Sequence, residues 1–478
     1  MNNDQKDLGI GKLTLFAVST TLASGVFSLA GDFAAGGAHT LAVLIGWAIC
    51  GVGMLGLAIA FYRLSVVKPE LSSGVFNYAK TGFGDYIGFI NGWGYFISAV
   101  LCPVSYVALL FATLGNFFPV FGAGNNILSI VIGSVYMWFL VYLVYRGVNQ
   151  SVTINAVVVI AKLVPILFSV IAIILLGGFK WEIFTQNFAG TPDGLSIGAQ
   201  IKSTVTTTVW TFIGIEGAVV LSARAKSTKI AGQATIYSFL ALLVLYIIIS
   251  VLSMGVMPQE ELAELGNPPM AGVVAHVVGP WGATLVNIAV ILSVGGAMLS
   301  YIILCTDSAY QPALNGLMPK FLTKTNKYNS PTWSVLLTGI ILQYFIIMLH
   351  INDSSYQALY AVSTSTIMFP YFFSALYYLK LMGQGHGCDN GAGSKAVGWF
   401  AAIVGTVYGI WLLYASGWEY ILITTLCYAP GTILYIWAKK EKREKIFGQR
   451  VDVISFALVM VLFVISLIML ATGAIQPF

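Results

Sequence analysis

QIKSTVTTTVWTFIGIEGAVVLS (200–222) has the length of a membrane-crossing helix but not the plain apolar sequence of one. A helix needs about 20 mostly apolar residues to cross the hydrocarbon core of a bilayer. This stretch is long enough, yet it places Gly214, Glu216 and Gly217 near its middle. A carboxylate at membrane depth is costly and usually marks function. Small residues in membrane helices more often serve close helix packing. The rest of the chain decides between these readings.

That rest is apolar. Hydrophobic residues make up 58% of the 478, and only 9% are charged, against about 25% in an ordinary soluble domain. Such a chain cannot dress a wet surface, which excludes a soluble enzyme and a nucleic-acid-binding domain. It reads as one polytopic membrane domain over 1–478. The net charge of +5 is no basic patch, because its Lys and Arg fall in short loops. Five scattered Cys and four scattered His show neither CxxC nor metal-ligand spacing, so no metal, disulfide or cofactor is expected. The apolar run after Lys12 has no clear cleavage site and reads as a first span, not a secretory signal.

Thirteen candidate spans follow: 10–31, 39–62, 84–115, 125–145, 152–177, 200–222, 233–254, 281–311, 331–350, 353–379, 396–415, 418–438 and 452–474. Twenty of the 23 Lys and Arg fall in alternate loops, from Lys6 and Lys12 to the KKEKREK run (439–445). The opposite loops carry Glu182, Asp193, Glu260, Glu261, Glu264 and Glu419. By the positive-inside rule the amino terminus is cytoplasmic and the carboxyl terminus is outside. The KKEKREK run reads as a loop obeying that rule, with anionic headgroup binding as the sharper alternative. The segments 178–199 and 255–280 are too short to be soluble domains, and GQGHGCDNGAGSK (383–395) reads as a flexible linker.

Five charges lie in or beside spans. Asp32 follows span 1 and reads as interfacial. Lys202 opens span 6 and can snorkel outward. Asp307 is open between structural and functional roles. Lys162, in AKLVPI, and Glu216, in FIGIEG, sit near the middle of spans 5 and 6 and carry the functional reading.

Span 1 is also interrupted, at Ala23-Ser24-Gly25. Spans 1 and 6 each open a set of five, 1–5 and 6–10. Five is odd, so the second set is inverted relative to the first. Interrupted helices at matching places in inverted halves point to a transporter's binding site. A broken turn frees N–H and C=O groups that a helix satisfies internally. Free N–H groups at a half-helix start hold a carboxylate, and free carbonyls at the other break hold an ammonium. Together they suit the zwitterionic head of an α-amino acid.

ASGVF (23–27), WTFIGIEGAVVLSARAK (210–226) and the GLMP turn (316–319) resemble the amino-acid/polyamine/organocation superfamily. More closely, the chain resembles its basic amino-acid antiporters: arginine/ornithine, arginine/agmatine and histidine/histamine exchangers. The resemblance covers spans 1–12. It implies an all-α fold of five plus five inverted helices with spans 1 and 6 unwound. The repeats would be 10–177 and 200–379, with additional helices in 396–474. It also implies a multi-pass protein of a bacterial plasma membrane.

The resemblance implies site residues as well. Ser24 and Gly25 would bind the substrate carboxylate, and Thr21 and Ile213 would offer carbonyls to its amino group. Trp210 would stack on the substrate. Tyr95, Glu216 and Tyr371 would form a layer closing one side. Tyr301 falls where some relatives place a gating tryptophan, and Ser363 is a looser match to a polar contact. Lys162 matches a lysine of some proton-linked relatives, whose ammonium replaces sodium; it is either a tether or a proton carrier. The partners implied are amino acids and amines, with a homodimer compatible.

Two departures bear on substrate. Pro103 stands where arginine-selective relatives carry an amide, and Pro has no side-chain hydrogen bond to offer. Tyr301 replaces a tryptophan. The tyrosines, with Tyr106, could hold an organic cation by cation–π attraction or be ordinary core aromatics. The leading expectation is exchange of a cationic amino acid for its metabolic product. Histidine/histamine exchange and proton-coupled symport on the same fold stay open. A channel would need a continuous polar stripe and an intramembrane enzyme a nucleophile–base pair or metal cluster, and neither pattern is present.

Overall fold

The structure is a computed structural model that describes residues 10, 11, 14, 18, 21, 22, 24–71, 75–148, 152–214, 228–352 and 354–476. Its main helices, in chain order, are α1 (Leu29–Ala35), α2 (Thr40–Val67), α3 (Val75–Phe83), α4 (Asp85–Gly115), α5 (Ile127–Tyr145), α6 (Val152–Leu175), α7 (Trp181–Thr185), α8 (Ile197–Trp210) and α9 (Thr228–Met254). They continue with α10 (Gln259–Ala263), α11 (Pro269–Val278), α12 (Pro280–Leu314), α13 (Thr332–Ile351), α14 (Tyr356–Gly383), α15 (Lys395–Ser416), α16 (Trp418–Glu441) and α17 (Arg450–Ala471). Among the described residues, ten helices are long and apolar enough to cross a membrane, and α6 is a further 24-residue helix. The fold is an all-helical polytopic one.

Spans 2–5 and 7–13 appear where the apolar runs predict them, with ends shifted by a few residues. Spans 1 and 6 are broken. A short 3-10 turn, Gly25–Phe27, separates Thr21 and Leu22 from α1. In span 6, α8 stops at Trp210 and residues 211–214 form turns ending at Gly214, whose φ of 98° only glycine adopts without strain. Span 1 runs on to Ala35, so Asp32 lies inside α1, buried in the protein, and does not follow the span.

The segments 178–199 and 255–280 hold the short helices α7, α10 and α11, not open loops. Gln200 of α8 ties the first of these segments to the start of α2: its Oε1 accepts from the His39 N–H at 3.0 Å, and its Nε2 donates to the Leu195 carbonyl at 2.8 Å. The Gly-rich linker is likewise anchored. Asn390 Nδ2 donates to the Val66 and Val67 carbonyls at 3.3 Å, and Tyr378 Oη donates to the Gly387 carbonyl at 3.0 Å. Buried Arg63 reaches Tyr378 Oη and Cys388 Sγ. Asn and Gly at this turn trade sheet or helix pairing for side-chain capping of the end of α2.

The centre of the bundle is α4, flanked by α12 and α14. Three prolines, Pro103, Pro312 and Pro370, sit inside these helices, and a proline there frees a carbonyl four residues back. Pro103 frees the Ala99 carbonyl, which accepts from the Cys305 thiol of α12 at 3.1 Å. Pro370 frees the Thr366 carbonyl, which accepts from Tyr428 Oη of α16. The breaks in helical pairing thus become contacts between helices. On the outside, α5, α15 and α17 turn Val135, Val407 and Ile454 outward, each more than 60% exposed. Acyl chains are as apolar as these side chains, so burial alone drives no helix inward, and packing inside rests on close fit and hydrogen bonds.

Candidate functional site

The two breaks face each other. A Cβ placed on Gly25 would lie 2.9 Å from Trp210 Cδ1 and 2.9 Å from Thr211 Cγ2. Only glycine allows this approach, because those atoms belong to a buried indole and to the turn that ends α8. At the first break Phe27 N–H bonds the Ser24 carbonyl and Ser28 N–H the Gly25 carbonyl, both at 3.1 Å. At the second, Phe212 N–H bonds the Val209 carbonyl at 3.0 Å and Ile213 N–H the Trp210 carbonyl at 3.3 Å. These are tighter three-residue steps, which leave nearby groups outside the regular helical ladder. The Thr211 carbonyl is one; it accepts from Tyr246 Oη of α9 at 3.1 Å.

A hydrogen-bond chain spans three elements. Trp210 Nε1–H donates to Tyr356 Oη at 3.0 Å, and Tyr356 Oη–H donates to Ser24 Oγ at 2.9 Å. The Trp210 ring stacks on Tyr360 at 5.2 Å and meets Tyr106 edge-on at 6.4 Å. Tyr106 meets Tyr301 edge-on at 5.1 Å. Ser24, Trp210, Tyr356, Tyr360, Tyr106 and Tyr301 are all buried. They form one closed aromatic cluster over the first break, with polar groups aimed inward.

Of the residues expected at the site, Ser24, Gly25, Trp210 and Tyr301 lie in or against this cluster, with Ile213 one turn beyond Trp210 and buried Thr21 just before the first break. Ser363 is turned elsewhere. Its Oγ donates to the Ser98 carbonyl at 2.9 Å, and Ser98 Oγ donates back to the Ser363 carbonyl at 2.8 Å, a reciprocal clasp between α4 and α14. Tyr371 is fully buried on α14, with Phe61 edge-on at 5.7 Å, and Tyr95 is half-buried on α4. Both make further contacts; Glu216, their expected partner, lies outside the described residues. Lys162 is buried and engaged on α6, which packs against α12. Lys202 lies over the Tyr414 ring at 4.0 Å. No group of three or more metal-ligating side chains forms among the described residues.

Sequence reading missed Tyr356, Gln357, Tyr360 and Tyr246. A signal on α14 existed: Tyr356, Tyr360 and Ser363 follow the i, i+4, i+7 spacing of one helix face. Ser363 alone was read from that face.

A family model described as "Amino acid permease" matches residues 10–416. Among curated proteins, an arginine/ornithine antiporter of Pseudomonas aeruginosa is 43% identical over 92% of this chain and 92% of its own length. An L-lysine transport protein of Corynebacterium glutamicum is 36% identical over 93% of this chain and 91% of its own length. An arginine/agmatine antiporter of Chlamydia caviae is 33% identical over 99% and 98%. Facing helix breaks, a buried polar cluster between them and end-to-end similarity lead to one assignment: the chain belongs to the amino acid permease family.

Proposed function

We propose that this protein is a secondary antiporter that takes up a cationic amino acid in exchange for its metabolic product, of the arginine/ornithine kind. The observation that carries the reading is the approach of Gly25 to Trp210 and Thr211, which brings two interrupted helices into contact over buried Ser24. The similarity to arginine/ornithine, lysine and arginine/agmatine carriers supports the substrate class.

In this reading the backbone N–H groups at Ser24 and Gly25 take the substrate carboxylate, as a half-helix start does. Carbonyls at Thr21 and Ile213 take the α-amino group, and Trp210 covers the substrate. Tyr95, Glu216 and Tyr371 close the opposite side. The Trp210–Tyr356–Ser24 chain is the closed arrangement, which gives way when the site opens. Lys162 holds a fixed positive charge beside the site, in place of a mobile cation. The two inverted sets, 10–177 and 200–379, rock around the breaks, with the amino terminus cytoplasmic.

Counterflow in liposomes tests this. Vesicles loaded with unlabelled ornithine, lysine, agmatine or histamine, or left empty, receive labelled arginine or labelled histidine outside. The expected result is arginine uptake that depends on internal ornithine. Uptake with agmatine or histamine inside would make the exchange one of amino acid for amine. Uptake indifferent to internal contents but driven by a pH gradient would overturn antiport in favour of proton symport.

A further inference from the structure

We infer that Asp32 is a specificity-determining residue that receives the second cationic group of the substrate, the one at the end of its side chain. This rests on the exchanger reading above and adds to it a residue on the outer half of span 1.

The argument begins with position. Gly25, Ser28 and Asp32 are spaced by three and four residues, so they lie along one face of the second half of span 1. That face leads from the break toward the end of α1. Asp32 is buried inside a helix of the bundle. A carboxylate in such a place is rare unless it is paired or functional. Among the described residues no Lys, Arg or His pairs with it.

Its hydrogen bonding is half complete. Oδ1 accepts from Gln357 Nε2 at 3.1 Å. Gln357 Nε2 also donates to Asn267 Oδ1 at 2.9 Å, which fixes the amide between α14 and the segment before α11. Oδ2 is buried and receives no hydrogen bond of good geometry, although the Tyr360 hydroxyl lies beside the carboxyl. Ser28 Oγ, on the way back to the break, and Thr21 Oγ1, beyond it, are buried and likewise lack a hydrogen bond of good geometry. Buried polar atoms are normally satisfied, so three along span 1, on both sides of its break, ask for an explanation. A bound polar ligand supplies it.

The ligand's chemistry follows from the acceptors. Carboxylate and hydroxyl oxygens near the hydroxyls of Tyr356 and Tyr360 suit an ammonium or guanidinium, which donates charged hydrogen bonds to them. Length agrees. Seven residues of helix separate Gly25 from Asp32, roughly 10 Å of rise. Helical side chains lean toward the amino terminus, so the carboxylate reaches back toward the break. An extended amino acid with a terminal cation, its carboxylate at Gly25, bridges the remaining gap; a short neutral amino acid does not.

The test uses full-length protein in liposomes. Counterflow of labelled arginine is measured with ornithine inside, and external ornithine and citrulline compete, citrulline being the uncharged counterpart of arginine. The proteins are wild type, Asp32→Asn and Asp32→Glu. Asp32→Asn is expected to weaken ornithine by about 10-fold or more, the value of one charged hydrogen-bond partner, while citrulline holds or improves. Asp32→Glu should keep the preference for ornithine. Equal loss of ornithine and citrulline in Asp32→Asn would mean a structural role only and would overturn the inference. So would an unchanged ornithine-to-citrulline ratio. If wild-type protein exchanges no cationic amino acid, the exchanger reading itself falls, a result distinct from a wild type that exchanges and a variant that does not discriminate.

Discussion

α4 and α17 are both long apolar helices, and protein covers 94% of the apolar stretch of the first but 6% of the second. Being long and apolar does not separate them, because lipid tails and protein interior are equally dry. What separates them is the small and polar residues between the apolar ones. α4 carries Gly92, Gly94, Ser98, Cys102 and Ser105, all buried. Tyr428 presses against Gly94, and Ser363 clasps Ser98. On α17 only Asp452 and Ser466 are buried, and both are polar. Helices that carry the site are marked by groups that bond or admit a neighbour closely; a helix that faces lipid is nearly free of them.

The comparison predicts a steep gradient of sensitivity. The largest effect falls at the contact between the breaks. Gly25→Val should abolish exchange, by at least about 100-fold, because displacing a site by an ångström is enough for that loss. Counterflow in liposomes reads it, with size-exclusion chromatography as the folding control. A lipid-facing substitution, Ile454→Ala, should leave exchange unchanged. Next comes Tyr356→Phe. It removes the acceptor of Trp210 Nε1–H and the donor to Ser24 Oγ in a buried cluster. Unmet groups of that kind cost about 1–3 kcal/mol each, so exchange should slow by about 10-fold or more. Tyr344→Phe, at a ring that is 54% exposed, is the matched control.

The same contrast explains what sequence could tell. Uninterrupted spans were legible because about 20 apolar residues have one solution in a bilayer. The breaks were legible from Ser24-Gly25 and Gly214. Asp32 was misplaced because hydropathy alone ended span 1 at residue 31, whereas the break shifts the second half-helix onward to Ala35. Tyr356 and Tyr360 were hidden among 24 tyrosines; only tertiary packing shows which of them meet Trp210. The anchors of the Gly-rich linker were not legible, because Asn390 and Tyr378 supply local bonds that composition does not reveal.

A smaller effect lies where α17 touches the core. Asp452 Oδ1 accepts from the Tyr86 N–H at 3.0 Å, and Oδ2 from the Gln449 N–H at 3.0 Å. One carboxylate therefore caps the start of α4 and of its own helix, and Gly84 leaves the room for it, since a Cβ there would lie 2.6 Å from Oδ1. The thirteenth span thereby acquires a structural role, because it holds the amino-terminal end of α4. Asp452→Ala should lower stability by about 1–2 kcal/mol, the usual worth of such a cap. Thermal unfolding in detergent checks this, and exchange should persist at the permissive temperature.

The smallest effect falls at the rim between these helices. Lys439 Nζ bonds Glu444 at 2.7 Å and also pairs with Asp85, the first residue of α4. The Lys439 ammonium holds the Glu444 carboxyl below its ordinary value of 4.5. A carboxyl so depressed contributes its stability above the unfolded value and loses it as pH falls through the folded one. Because Glu444 is half exposed, the contribution should stay below about 1 kcal/mol. Glu444→Gln should therefore lower the unfolding temperature slightly at pH 7, and the two proteins should converge as pH drops below 4.5. A gap that persists in acid would mean that Glu444 acts through packing and not charge. The rim would then belong with the enclosed face of α4, and the line between core and lipid-facing helices would have to be drawn one turn further out.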